Sequence, residues 1–219
     1  MLTVEELQVS INSVRILRGV SLRVARGQLA GLIGRNGAGK TTLMRTIMGI
    51  LAPTAGTVKM EDVPMSRLSP HQRARRGIGY MPEDRRIIPQ LTVEENVMLP
   101  AWAAGATSGS ERLARIYRMI PEVEALKDRR GLQLSGGQQK LVALARALMS
   151  GTRVLLLDEP FEGVAPVLAR RLGEVIALLR TEGLSVLLSE SDLSHARALL
   201  DVVFRIDRGV VSAEGGASP

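Results

Sequence analysis

The 219-residue sequence contains no cysteine, which excludes a disulfide framework, a thiolate zinc site and a thiol nucleophile, and which fits a cytosolic protein. Only two histidines are present, His71 and His195, so a histidine-rich metal centre is not expected; both are read as ordinary residues, His71 on the surface and His195 in a helix. Aromatic residues make up 2% of the chain, too few for the stacking platform that binds single-stranded nucleic acid. Wholly apolar runs are short, as in Val154-Leu155-Leu156-Leu157, and fall far below the ~20 residues needed to cross a bilayer. The opening MLTVEELQVS carries acids where a secretory signal would be basic and then apolar, so no export is expected. Lysine is scarce too: Lys40, Lys59, Lys127 and Lys140 stand among 29 basic residues, the rest being arginine, for a net charge of +7. That balance attracts phosphates, nucleic acid or anionic lipid, but the arginines are scattered, and a solvated surface is the plainer account. What remains is ordinary globular material, 45% hydrophobic and 23% charged, long enough for one domain or two fused lobes around a sizeable core.

Period and punctuation give the organisation. Leu2-Thr3-Val4, Val20 to Val24 and Gly56 to Met60 alternate like strands of a half-exposed antiparallel sheet. Leu29 to Ile33, Ile78 to Met81, Val154 to Leu157, Val186 to Leu188 and Val202 to Phe204 are short apolar blocks, the pattern of parallel strands covered on both faces. Helical patterns lie between them, at Thr41 to Met48, Glu111 to Met119, Gln138 to Met149 and Val167 to Arg180. Alternating strand and helix indicate an α/β class. From about Thr92 to Met149 no strand is apparent, which suggests a helical lobe inserted into the sheet domain. The small residues from Ala103 to Ser110 read as a flexible loop, and Ala213 to Pro219 as a frayed tail.

Directly after the block Leu29 to Ile33 stands Gly34-Arg35-Asn36-Gly37-Ala38-Gly39-Lys40-Thr41-Thr42, a complete GxxxxGK[ST]. Its glycines allow backbone N–H groups to converge, and the following helix aims its positive end at the same point. Asn36, Gly37, Ala38, Gly39, Lys40, Thr41 and Thr42 are thus candidate phosphate-binding residues; Lys40 would hold the outer phosphates, and Thr41 would offer its hydroxyl to Mg²⁺. Leu155-Leu156-Leu157-Asp158-Glu159-Pro160 puts two acids at the C-terminal end of a buried strand, the edge where ligand sites of parallel sheets form. Asp158 is the candidate for the Mg²⁺ shell and Glu159 for the base that orients water toward a γ-phosphate. A third element, Leu134-Ser135-Gly136-Gly137-Gln138-Gln139-Lys140, opens another helix with a second anion-seeking start; Ser135, Gly136, Gly137 and Gln138 are its candidate binding residues.

GRNGAGKTT, LSGGQQ and LLLDEP, in that order and spanning nearly the whole chain, resemble the nucleotide-binding subunit of an ABC transporter. The resemblance implies a single domain over 1–219, an α/β P-loop fold with a mostly parallel core, an N-terminal antiparallel β subdomain and an inserted helical subdomain. The core would comprise 1–84 and 151–219, and the helical part 85–150. It further implies ATP hydrolysis, ATP and Mg²⁺ as cofactors, and a second ATPase subunit set head to tail, with each ATP between the P-loop of one and the serine loop of the other. Transmembrane permease subunits would complete the assembly, held at the inner face of the cell membrane, with no nucleic-acid partner. Met81-Pro82-Glu83-Asp84-Arg85-Arg86, Leu91 to Asn96 and Glu159 to Pro166 are closer still to the importers of branched-chain amino acids and of urea or amides. In that subfamily a Glu often stands where most cassettes have a Gln that ligates Mg²⁺ and water, and the role is carried to Glu83.

Three departures from the family pattern have consequences. Counting back from Gly19-Val20-Ser21-Leu22 puts Ile11 where an aromatic normally stacks on adenine, so weak discrimination between ATP and GTP is expected. Ser191, in Leu187 to Leu193, replaces the usual switch histidine; it can donate to a γ-phosphate oxygen but cannot carry positive charge. Val164-Ala165-Pro166 replaces the usual Asp-containing loop after the acidic pair, again as in the importer subfamily. Two rival readings are an ABC-type ATPase acting on DNA or ribosomes, and a regulator that binds ATP without cleaving it.

Overall fold

The computed structural model describes residues 1–105 and 108–214. The chain first forms β1 (Leu2–Ile11) and β2 (Val14–Val24), a hairpin closed at Asn12 and Ser13, both in the left-handed region at φ +48° and +65°. Next come β3 (Leu29–Ile33), α1 (Lys40–Ile47), β4 (Ala55–Met60), β5 (Val63–Pro64), α2 (Pro70–Arg75) and β6 (Ile78–Met81). A helical stretch follows, comprising α3 (Val93–Ala104), α4 (Gly109–Met119), α5 (Pro121–Glu124) and α6 (Gly136–Ser150). The chain then returns through β7 (Val154–Asp158), α7 (Pro166–Thr181), β8 (Ser185–Glu190), β9 (Val202–Asp207) and β10 (Val210–Glu214).

Two sheets result. One has four strands in the order β2-β1-β4-β5 and is antiparallel. The other has six in the order β10-β9-β3-β8-β7-β6, parallel except for the edge pair β9–β10. The central strands read as unbroken apolar blocks because both faces are covered. Val154 and Leu156 turn toward a core shared with α1 and the antiparallel sheet, while Leu155 and Leu157 turn toward one shared with α6 and α7. Each such side chain, fully buried, contributes ~1.5–3 kcal/mol. Gly79 permits the close seat of α6 on β6, since a Cβ there would lie 2.2 Å from the carbonyl oxygen of Ala147. Buried Arg73 donates to the carbonyls of Thr46 and Ile47, at 3.0 and 2.7 Å, satisfying the end of α1.

Three expectations need correction. Ala103 and Ala104 complete α3 and Gly109 and Ser110 begin α4, so half of the expected loop is helical; Ala106 and Thr107 lie outside the described residues. Ala213 and Glu214 pair with Phe204 and Val203 at the end of β10, and only 215–219 of the expected tail fall outside the described residues. His195 lies in a turn after β8, not in a helix, its ring 6.1 Å from that of Phe161. Among the described residues no helix is long and apolar enough to cross a membrane.

Candidate active site

Register brings the chemistry to one edge. Ile33 pairs with Glu190, Asp158 with Ser189 and Met81 with Leu157, so β3, β8, β7 and β6 all end together. Each is followed within two residues by a position singled out from the sequence: the Gly34 to Thr42 loop, Ser191, Glu159 and, after Pro82, Glu83. They open onto a cavity of about 430 Å³ walled by Asn36, Gly37, Gly39, Lys40, Thr41 and Thr42, and by Glu83, Glu159 and Ile16. The loop's glycines are required where they stand. Gly37 and Gly39 take φ of +80° and +112°, and a Cβ on Gly34 would lie 2.3 Å from the carbonyl oxygen of Ile206.

Lys40 is buried and is the hub of the site. Its ammonium donates to the carbonyl of Gly34 at 2.6 Å and to the hydroxyl of Ser191 at 3.2 Å, and pairs with the Glu159 carboxylate at 3.0 Å. Ser191 accepts from Lys40, and its own proton faces Oδ1 of Asn36 at 2.8 Å and both carboxylate oxygens of Glu159 at 3.2 Å. Burial opposes charge on Glu159, but hydrogen bonds from Lys40, Glu162 and Ser191 prevail and hold its carboxyl below the usual range. Glu162 is pushed the other way, first by its hydrogen bond with Glu159 and then by burial. Glu159 also sits at φ +49°, a conformation that costs a non-glycine residue ~1–3 kcal/mol and persists only where neighbours over-determine it.

Asp158 is fully buried one residue earlier, accepting from Ser189 Oγ at 2.7 Å and Tyr80 OH at 3.3 Å. Glu83 is exposed. Among the described residues no group of three or more His, Cys, Asp or Glu side chains could by itself hold a metal ion. Ile11 departs from expectation: it is 38% exposed and does not line the cavity, whereas Ile16 does. The hairpin turn at Asn12 and Ser13 separates the two, which a count along the chain does not register.

The Ser135 loop is elsewhere. None of Ser135, Gly136, Gly137 and Gln138 lines this cavity. Ser135 caps α6, accepting from the N–H of Gln138 at 3.3 Å, while Gln138 Oε1 accepts from the N–H of Ser135 at 3.0 Å; Ser135 and Gly136 are exposed.

The family model for the ABC transporter matches residues 17–162. The chain belongs to the ABC transporter family. As an ABC ATP-binding domain it binds and hydrolyses ATP, and domains of this family dimerise and work with transmembrane components. The chain is 36% identical over 216 residues to the lipopolysaccharide export system ATP-binding protein LptB of Escherichia coli strain K12, covering 98% of this chain and 90% of that protein. It is 32% identical over 219 residues to the high-affinity branched-chain amino acid transport ATP-binding protein BraG of Pseudomonas aeruginosa, covering 100% and 94%. In structure it is similar to an ABC-transporter cassette in its ADP conformation, at TM-score 0.85 and 28% identity over 99% of this chain and 91% of that one. It is similar too to a dimeric, post-hydrolysis cassette bound to ADP and Pi, at TM-score 0.86 and 25% identity over 99% and 100%.

Sequence reading missed several residues that hold this ABC domain's site together. Asn96, fully buried in α3, accepts from the N–H of Ile88 and donates to the carbonyls of Ile88, Leu91 and Thr92, fixing the segment after Glu83. Arg146 of α6 donates to the carbonyls of Arg85 and Arg86. Lys140, placed in the motif without a role, donates to three carbonyls just beyond Glu159. Their partners lie between four and 61 residues away, and no periodicity marks them.

Proposed function

We propose that the chain is the ATPase subunit of a membrane importer and works as a head-to-tail pair that closes over two ATP molecules. The observation that carries this reading is the division of phosphate-seeking groups. The Lys40 cradle is walled within one chain, while the Ser135 helix start lies outside it and would need a second chain to meet a nucleotide. ATP adds contacts across such an interface and favours closure; hydrolysis removes them.

In the closed pair, Lys40 and the loop N–H groups from Gly37 to Thr42 would neutralise the outer phosphates. That requires Lys40 to exchange its contact with Glu159 for phosphate oxygen, which frees the Glu159 carboxylate to orient and deprotonate water. Ser191, already against Asn36 and Glu159, would donate to the γ-phosphate. The donor set fits Mg²⁺, which favours oxygen ligands and retains waters: the Thr41 hydroxyl and Glu83 line the cavity. Asp158, with both oxygens engaged by Ser189 and Tyr80, would act on the ion's waters. Mg²⁺ would supply charge neutralisation of the phosphates. Ile16 offers apolar contact to the base but no ring to stack on it.

The solute is an amino-acid-like or amide molecule, most simply a branched-chain amino acid. Met81 to Arg86 and Glu159 to Pro166, together with the full-length likeness to a branched-chain amino acid transport protein, support that choice. The chain would sit at the inner face of the membrane, with α3 and the Glu83 to Leu91 segment toward the permease. Lipopolysaccharide export is the second reading, favoured by 36% identity over 98% of the chain to the LptB protein. Reconstitution with the chain's membrane partners decides between them: phosphate release should rise when a liganded amino-acid receptor is added. Stimulation by lipopolysaccharide instead would overturn import, and no phosphate release in any combination would overturn the active-site reading.

A further inference from the structure

Lys140 is 2% exposed, and a buried cation is costly unless every donor is matched. An ammonium has three N–H donors, and here three carbonyls take them: Glu159 at 2.9 Å, Pro160 at 3.0 Å and Glu162. All three belong to one turn, the one that carries Glu159 in its left-handed conformation. The opposite side of that turn is held from β8. Glu190 Oε1 accepts from the N–H of Phe161 at 2.9 Å, and the Ser189 carbonyl accepts from the N–H of Glu159 at 3.1 Å. The turn is thus gripped between the helix that begins at Ser135 and the strand that leads into Ser191. Packing alone would be served by an apolar side chain in the second turn of α6, whose neighbours Leu141, Val142 and Leu144 are all buried.

We propose that Lys140 is a positioning residue for ATP hydrolysis, tying the helix whose start meets the partner's nucleotide to the backbone that aims Glu159 in its own site. The proposal rests on the roles given above to Glu159 and Ser135. Lys140 does not line the Lys40 cavity; it acts through the turn. Because α6 is a rigid element anchored at its start by the Ser135 cap, nucleotide seated against that start sets where the Glu159 carbonyl, and hence the carboxylate, can lie.

The test is steady-state phosphate release, with the membrane partners present, for Lys140→Met and Lys140→Gln, alongside thermal melting. Misplacing a reacting group by ~1 Å costs up to ~100-fold. Lys140→Met should therefore lower kcat by about tenfold to 100-fold, with KM for ATP changed less than about threefold because the Lys40 cradle is untouched. Lys140→Gln restores amide donors to the turn and should recover part of that loss. Paired with Glu159→Gln, Lys140→Met should still assemble with ATP. A folded Lys140→Met with kcat within about twofold of the parent, or a loss confined to KM, overturns the proposal. If Lys140→Met does not fold, Lys140→Gln decides by the same criterion. Continued hydrolysis by Glu159→Gln alone would instead overturn the reading of Glu159.

Discussion

The chain contains two helix starts to which the proposed function assigns phosphate, and they stand in opposite conditions. At α1 the approach is crowded: Lys40 is buried against Glu159 and Ser191, so ligand must displace groups of the same chain. At α6 the approach is open: Ser135 and Gly136 are exposed, and Ser135 exchanges cap hydrogen bonds with Gln138. The first is walled within one molecule, with the Glu159 carboxylate held against Lys40. In the proposed pair, the second meets a nucleotide only when another molecule brings one. On that proposal the contrast separates grip from completion: binding belongs to the α1 loop, and closure to the α6 loop.

The comparison can be broken most severely at Lys40. Lys40→Met should weaken ATP binding by ~100-fold or more, the scale of losing a charge-assisted phosphate contact, as read by titration calorimetry. It should also destabilise the fold by about 3 kcal/mol, because breaking a buried pair strands its partner. Adding Glu159→Gln should recover most of that stability, though not the affinity. Ser135→Arg sharpens the contrast from the other side. It should lower kcat by about 100-fold while ATP affinity of the single chain, measured by equilibrium dialysis, changes less than about threefold, since the cradle lies elsewhere.

Glu190 gives a smaller effect with a definite sign. Burial pushes its carboxyl up to about 7 from an ordinary 4.5, so the folded chain holds this proton more tightly than the unfolded one. Its contribution to stability is fully present below about 4.5, falls as pH rises, and is gone above about 7. Glu190→Gln should flatten that slope, shrinking the difference in unfolding free energy between pH 5 and pH 8 by ~1–3 kcal/mol in denaturant titrations. Smallest is base preference. With Ile16 in the wall and no aromatic ring there, affinities for ATP and GTP should agree within about threefold; a strong ATP preference would show another group reading adenine.

The sequence was most legible where chemistry is local. The Gly34 to Thr42 loop, the Asp158-Glu159 pair and the Ser135 start each depend on consecutive residues whose backbone freedom and polarity fix a turn or a cap. The parallel core was legible for a related reason: strands covered on both faces read as solid apolar blocks. Long-range satisfaction was not. Lys140 looks like any motif cation until its three carbonyl partners, 19 to 22 residues on, are folded against it, and Asn96 looks like any helix surface residue until the Ile88 to Thr92 segment wraps it. Ile11 misled because residue counting ignores the hairpin turn that carries it off the cavity wall and leaves Ile16 there. His195, read as a helix residue, lies instead in a turn formed by Leu193 to Ala196, its ring near that of Phe161.

The absence of cysteine makes the central claim directly measurable. Arg35→Cys and Ser135→Cys, introduced together with Glu159→Gln to prevent turnover, place one thiol beside each helix start. A short bifunctional thiol reagent should then join two chains in the presence of ATP and Mg²⁺ and leave them separate without nucleotide. Equal joining with and without ATP, or none in either condition, would contradict a nucleotide held between the Lys40 loop of one chain and the Ser135 loop of its neighbour.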